Sequence, residues 1–369
     1  MGKSGRGRTG RRPHDNGAWA CPRPGAGWNG ADSLRLWCQI DAPIEARDMD
    51  SVENQLELLL KGGGIEMQEY DSPLEEVVPV TVRKTVCYIV AAIIVNEQKE
   101  VVMMQEAKQE CYGKWYLPAG RMEQNETIVQ AVKREVQEET GLECEPYTLL
   151  SVEERGPRWI RFVFLARVTG GNMKSTSESD TESLQAKWWD RVSPLPLRAR
   201  DILNLISFAV KHKEKASHPV TIPVELPCPV VCHRVLAAFL NRSNDLWLLV
   251  NNPGRPHFPV TACGSSSADL SCSIEVAIYR LVKECLKDPQ VKVKMHGILG
   301  LQHSGTVPGK TDGVCFNVLV TVAQVESKYS PFPPDVNNAK YAWHKVDDDD
   351  LKIQLLERLS FSSVVPFLN

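Results

Sequence analysis

Three glutamates lie at positions whose spacing would bring their carboxylates onto one side of a helix. Glu135, Glu138 and Glu139 are related as i, i+3 and i+4, and residues at these spacings are neighbours on a helix surface. Their like charges repel, by about 0.2–0.5 kcal/mol per pair. They also stand near the end of the predicted helix, where the macrodipole favours cations. A cluster placed against both preferences indicates a functional site rather than a solvated face.

Clustered carboxylate oxygens suit Mg²⁺ or Mn²⁺, and such ions bind phosphates and activate water. Gly120 precedes the cluster at the end of a loop, where the lack of a side chain would let a backbone carbonyl reach a metal. Glu126 could approach the same side of the helix from its entrance. Arg134 stands four residues before Glu138 and can pair with it. The pattern therefore predicts a divalent-metal site that acts on phosphates.

The glutamates are carried by a helix predicted over 127–140. Thr127 and Gln130 form a capping-box pair at its start, and Gly141 stands where a C-terminal glycine is typical. Apolar residues at i, i+4 and i+8 predict one buried stripe: Ile128, Val132 and Val136. Strands are predicted over 85–95, 100–105, 149–153, 160–168 and 186–189, and further helices over 50–61 and 198–211. Strands mixed with helices indicate an α/β sandwich.

The order of motifs recurs after a proline-rich linker, which predicts a duplicated domain. The stretch Ala131–Arg134 returns as Ala277–Arg280, an offset of 146 residues (280 − 134). The second copy keeps Arg280 and Glu284. Its counterparts of Glu126, Glu135 and Glu139 are Cys272, Leu281 and Cys285. We therefore expect a second domain that lacks the catalytic carboxylates.

The predicted organisation has five segments. They are a disordered extension (1–48), an N-terminal segment with a short helix (49–79), a catalytic domain (80–215), the linker (216–229) and a degenerate domain (230–369). A second interpretation takes Met49 as the natural start.

Composition excludes several classes of protein. The 369 residues carry 43 Lys+Arg and 46 Asp+Glu, for a net charge of −3, so binding to nucleic acid steered by net charge is not expected. The longest apolar run, 86–95, has ten residues, whereas a bilayer span needs about 20. Eleven cysteines, an odd number, without an apolar signal segment favour a reducing compartment, and we expect the cytosol.

The residues from Gly120 to Leu142 resemble the Nudix box, glycine-x5-Glu-x7-Arg-Glu-apolar-x-Glu-Glu-x-Gly-apolar, at every specified position. The resemblance to the Nudix hydrolase family implies an α/β/α sandwich with a mixed sheet, followed here by a degenerate Nudix-like domain. Residues 117–167 also resemble the MutT-homologue members that act on 8-oxo-guanine nucleoside diphosphates. This implies metal-dependent hydrolysis of 8-oxo-dGDP and 8-oxo-GDP to monophosphates, which would sanitise the nucleotide pool.

The resemblance also implies roles for individual residues. Glu135 and Glu139 would be the main ligands of Mg²⁺ or Mn²⁺, with Glu138 as a further ligand or a water-orienting group. The carbonyl of Gly120 or Ala119 would complete the metal site. The box itself would be shaped by Glu126, Arg134 and Gly141. The general base would be a box glutamate or an acid in the 170–183 loop, with Glu182 as the candidate. The base of the nucleotide is expected near Val102, Met103, Phe162 and Trp188.

Two alternatives remain open at this point. One is a Nudix hydrolase of another nucleoside-diphosphate-linked substrate, such as a sugar, a dinucleotide or capped RNA. The other is a protein that senses nucleotides or binds a partner without turnover. Dependence of turnover on Mg²⁺ or Mn²⁺ separates the enzymes from the binding protein.

Overall fold

The structure is a computed structural model that describes residues 51–67, 70–72, 78–155, 159–263, 273–288, 290–324, 330–360 and 363–368. All of these residues belong to one unit defined by their contacts, which runs from Asp48 to Asn369. The predicted extension 1–48 lies outside the described residues. Among the described helices none is both long enough and apolar enough to cross a bilayer.

The N-terminal half is built on two small sheets. One has the strand order β14-β5-β6-β1-β4 and the other the order β3-β2-β7. The strands of this half are β1 (Cys87–Ile94), β2 (Val101–Glu106), β3 (Trp115–Tyr116), β4 (Ala119–Arg121), β5 (Leu142–Glu154), β6 (Trp159–Gly171) and β7 (Ser183–Trp189). Strands β1 and β6 run parallel, whereas β1 and β4 are antiparallel. The predicted mixed α/β architecture is therefore present.

The C-terminal half repeats much of this topology in one six-stranded sheet. Its order is β11-β12-β8-β9-β13, with β10 paired to β8. Its strands are β8 (Cys232–Leu240), β9 (Leu246–Asn251), β10 (Val260–Ala262), β11 (Lys292–Gln302), β12 (Cys315–Ala323) and β13 (Tyr341–Lys345), whereas β14 (Phe367–Leu368) belongs to the first sheet of the N-terminal half. Strands β8 and β12 are parallel, as β1 and β6 are in the first half.

The helices cover both halves. They are α1 (Val52–Leu60), α2 (Ile128–Thr140), α3 (Asp201–Glu214), α4 (Ser273–Cys285) and α5 (Asp349–Ser360). Helix α2 begins at the predicted capping box. The Thr127 hydroxyl accepts from the Gln130 N–H, and the Gln130 side-chain oxygen accepts from the Thr127 N–H. It ends at Gly141, whose φ of 72° is left-handed. The predicted bounds of α2 are confirmed.

The two halves share one hydrophobic core. Phe162 on β6 stacks on Phe316 on β12 with ring centroids 6.3 Å apart, and Tyr88 packs edge-on against Phe162. At the end of the chain β14 leaves the C-terminal half and pairs with β5, so that Phe367 lies beside Val152. The predicted linker at 216–229 stays a prediction. The core that contains Phe162 and Phe316 is continuous between the two halves.

Candidate active site

Helix α2 brings two of the three predicted carboxylates into the interior. Glu135 and Glu139, one turn apart, are only 8% and 2% exposed. They continue the buried side of the helix that Val132 and Val136 begin. The side chain of Glu138, by contrast, is 48% exposed. The carboxylates are therefore neighbours but not equivalent, since two are buried and the third borders solvent.

The strand β4 closes over this pair with its backbone. The Ala119 N–H donates to Glu139 Oε2 at 2.8 Å. At Gly120 an added Cβ would lie 2.0 Å from the Glu135 Oε2. Any side chain at this position would thus displace the Glu135 carboxylate, which is the physical reason for glycine here.

Arg134 ties the box together through its guanidinium group. Its Nε and Nη2 donate to the two oxygens of Glu126 at 2.9 and 2.7 Å. Its Nη1 donates to Glu135 at 2.9 Å and to Glu138 at 3.0 Å, and Nη2 also reaches the Arg121 carbonyl at 3.2 Å. The predicted pairing of Arg134 with Glu138 is formed, and the same guanidinium links Glu126, at the entrance of the helix, to Glu135.

The electrostatics of the pair favour a bound cation. Burial raises the pKa of Glu135, and Arg134 only partly opposes it. Burial also raises the pKa of Glu139 well above its ordinary value, with a further rise from the charge of Glu135, while the Ala119 N–H lowers it. Two adjacent buried carboxylates with this shared penalty are the kind of oxygen donor set that suits a hard divalent ion.

The protein ligands available to a divalent ion are two buried carboxylates and the backbone next to them. Within the described part of the chain, no three His, Cys, Asp or Glu side chains converge into a ready cage. Glu135 and Glu139 supply buried oxygens, and Gly120 leaves backbone beside them. Water or substrate oxygens would have to supply the remaining positions, as is usual for Mg²⁺. The donor set therefore fits such an ion.

Two charged residues at the end of β2, Glu106 and Lys108, were not predicted from the sequence. Glu106 is 1% exposed and accepts from Arg198 at 2.5 Å. Burial alone would lower the pKa of Lys108, but Glu182, Glu139 and Glu106 raise it above its ordinary value. The charge of Lys108 in turn opposes the rise that burial causes in the pKa of Glu139.

Glu182, the candidate general base, forms an ion pair with Lys108 at 3.1 Å. Both side chains are nearly half exposed, at 48% and 46%. Glu182 directly precedes β7, and its partner Lys108 opposes, through its charge, the rise that burial causes in the pKa of Glu135 and Glu139. Its role as a base stays a prediction.

Three of the four residues expected to contact the base are fully buried, and their role in binding stays a prediction. Val102, Met103 and Phe162 are each 0% exposed. Val102 lies in the core that includes the α2 stripe and Met103 in the core that includes α3. Phe162 is covered by Phe316 of the C-terminal half. Other parts of the protein therefore cover all three side chains in this structure. Trp188 is half-buried, on β7 beside Val102.

Helix α4 shows what the same position holds without carboxylates. Its burial pattern follows that of α2 at an offset of 146 residues, so Leu281 and Cys285 take the places of Glu135 and Glu139. Both are buried, at 1% and 0% exposure. Arg280, the counterpart of Arg134, donates to the Thr261 hydroxyl and to a backbone carbonyl. Cys272, the expected counterpart of Glu126, lies outside the described residues.

Comparison with known proteins identifies the family. A model of the NUDIX domain matches residues 87–203. The chain is 49% identical over 321 residues to the 8-oxo-dGDP phosphatase NUDT18 of Danio rerio, which covers 86% of this chain and 97% of that protein. It is 50% and 51% identical, over 320 residues, to the proteins of the same name from Homo sapiens and Mus musculus, with 86% of this chain and 98% of each relative covered. The resemblance of the box is thereby confirmed, and the chain belongs to the Nudix hydrolase family.

Proposed function

We propose that this chain is a metal-dependent phosphatase of 8-oxo-guanine nucleoside diphosphates, with 8-oxo-dGDP and 8-oxo-GDP as substrates. The observation that carries the proposal is identity of about half the residues across nearly the whole length of relatives named 8-oxo-dGDP phosphatase. It is supported by the buried carboxylate pair, which a protein that only binds a partner would not need. The reaction adds one water across the P–O–P anhydride bond and releases a monophosphate and inorganic phosphate.

We propose Mg²⁺ or Mn²⁺ as the metal and Glu135 and Glu139 as its main ligands, with Glu138 and the carbonyl of Gly120 or Ala119 nearby. A bound ion of this class would neutralise the phosphate charge and activate water for in-line attack. The Ala119 N–H holds one oxygen of Glu139 in place, which leaves the other oxygen for a ligand. Arg134 holds one oxygen of Glu135 in the same way.

Two residues outside the box complete the proposal. Lys108 supplies positive charge beside the carboxylate pair, where the diphosphate would lie. Glu182 would accept the proton of the attacking water once its ion pair with Lys108 opens. A cytosolic location is supported by the free thiols of the described cysteines.

The test compares phosphate release from 8-oxo-dGDP, in Mg²⁺, by wild type, Glu139→Gln and Glu284→Gln. Glu284 stands on α4, the counterpart helix, and serves as a matched control. We expect Glu139→Gln to lose at least about a hundredfold in kcat, because even partners around a metal site contribute 10–100-fold, while Glu284→Gln keeps the wild-type rate. Equal rates for wild type and Glu139→Gln would contradict the metal-ligand assignment. Faster turnover of a nucleoside-diphosphate sugar, a dinucleotide or capped RNA would contradict the proposed substrate.

A further inference from the structure

A loop of the C-terminal half packs directly on the loop that begins the Nudix box. Gly305, between β11 and β12, has a φ of +68°. A Cβ added there would lie 2.3 Å from the backbone oxygen of Glu126 and 3.2 Å from the Met122 Cε. The contact is so close that only glycine leaves the Glu126 backbone where it is.

The Gly305 loop is held firmly on its own side. The Gly305 N–H donates to the Thr311 carbonyl at 2.9 Å. The buried Asp312 carboxylate accepts from the Gly309 N–H at 2.9 Å and from the Val82 N–H of the N-terminal half at 3.0 Å. The Tyr88 hydroxyl donates to the Asp312 carbonyl at 2.9 Å. The bonds from Val82 and Tyr88 cross between the halves and hold the loop on the N-terminal half.

The Glu126 side chain leads from this contact to the carboxylate pair. Its two oxygens bind the Arg134 guanidinium at 2.7 and 2.9 Å, and Oε1 also accepts from the Glu123 N–H at 2.6 Å. Arg134 in turn binds Glu135 at 2.9 Å. A displacement of the Glu126 backbone would therefore move the group that orients Glu135, through partly buried bonds that solvent does not readily replace.

We propose that Gly305 is a positioning residue of the first half's active site, so that the half without catalytic carboxylates sets the geometry of the half that has them. The inference rests on the proposed function for its metal and deepens it, because it assigns the second half a task in catalysis. In structural terms the task is to fix the box entrance through one close backbone contact.

The test uses Gly305→Ala and Gly305→Asn in the full chain, with Gly254→Ala as the matched control. Gly254 has a φ of +74°, and a Cβ there would meet no described atom within 4 Å. The control therefore carries the same left-handed backbone cost without the contact. Asn tolerates a left-handed φ better than other residues, so Gly305→Asn separates bulk from backbone strain.

The main measurement is Mn²⁺ affinity, by titration followed with electron paramagnetic resonance on the folded proteins. We expect both Gly305 variants to bind Mn²⁺ about tenfold more weakly than wild type, as for loss of an outer partner at a metal site. Their kcat for 8-oxo-dGDP should fall while KM changes little, and Gly254→Ala should match wild type in all three quantities. Wild-type Mn²⁺ affinity in Gly305→Asn would overturn the inference.

This result is separable from failure of the proposed function. Were wild type to release no phosphate from 8-oxo-dGDP, the proposed substrate would be wrong. Mn²⁺ affinity would still report whether the Gly305 contact positions the carboxylates. A loss of kcat with unchanged Mn²⁺ affinity would also overturn the inference, because the proposed route runs through the metal-binding carboxylates.

Discussion

Replacing Arg134 by lysine tests whether the guanidinium, rather than its charge alone, organises the site. Arg134 makes five hydrogen bonds to four groups: both oxygens of Glu126, one oxygen each of Glu135 and Glu138, and the Arg121 carbonyl. A lysine ammonium has three donors at a single point. At least two of the five bonds are therefore lost, and the bidentate bond to Glu126 must be among those weakened.

The expected cost follows from the exposure of these groups. A hydrogen bond to a charged group contributes about 1.5–3 kcal/mol where it is buried. The Arg134 side chain is 27% exposed and that of Glu138 is 48% exposed, so a discounted value of about 1 kcal/mol per bond is appropriate. Two lost bonds then amount to about 2 kcal/mol. If the whole loss falls on the transition state, kcat decreases about thirtyfold. If it falls on the folded state, Tm decreases by about 4 °C.

The assay is phosphate release from 8-oxo-dGDP in saturating Mg²⁺, with Tm followed by differential scanning fluorimetry. Arg280→Lys is the matched control. Arg280 occupies the same place on α4, where it donates to the Thr261 hydroxyl and the Ala262 carbonyl rather than to a box carboxylate. We expect Arg280→Lys to keep the wild-type kcat. For Arg134→Lys, KM should change less than kcat, because the side-chain hydrogen bonds that Arg134 makes to described residues all lie within the box.

Two outcomes would refute this reasoning. A wild-type kcat in Arg134→Lys would show that a point charge is sufficient and that the fork of donors is irrelevant. An equal loss of kcat in both lysine variants would show that the effect comes from general loss of stability rather than from the carboxylate site.

Three further predictions concern stability. In EDTA, Glu139→Gln should raise Tm or leave it unchanged, because burial of an ionised carboxylate opposes folding when no metal is bound; a clear fall in Tm would contradict this. The pKa of His257 in the folded protein is raised, chiefly by its hydrogen bond to Asp71. Protonated His257 therefore stabilises the folded state below the pKa of the unfolded chain, and this contribution is lost as pH rises through the pKa of the folded state. The urea midpoint should fall between pH 6 and pH 8.5 by more in wild type than in His257→Gln. Phe367→Ala should lower Tm by about 2–6 °C through lost packing, whereas Leu368→Ala, at a 39% exposed position, should not.

Local features of the site could be predicted from the sequence because they depend on neighbours along the chain. The capping box at Thr127, the left-handed Gly141 and the turn that brings Glu135 beside Glu139 all follow from spacing of one to four residues. The different exposure of Glu138 does not follow, because it depends on where α2 meets the sheet. The same limit applies to Gly120, whose contact with Glu135 is made by a separate element.

Whether an apolar strand residue contacts the base could not be predicted from the sequence, for a related reason. An apolar strand residue such as Phe162 looks the same whether it will stack on a purine or on another ring. Its partner proved to be Phe316, 154 residues along the chain (316 − 162). Only the docking of one half on the other decides between the two interpretations. Lys108 was missed for the opposite reason, since a single lysine after a strand has no pattern that distinguishes it from a solvated one.

The contrast between α2 and α4 shows what the carboxylate pair costs the fold. At equivalent buried positions α4 carries Leu281 and Cys285, whereas α2 carries Glu135 and Glu139. The architecture therefore does not require acids at these positions, and burial raises the pKa of both glutamates. Burying two carboxylates costs free energy, and α4 avoids that cost. Such a cost is expected at a functional site, where a bound cation would offset it.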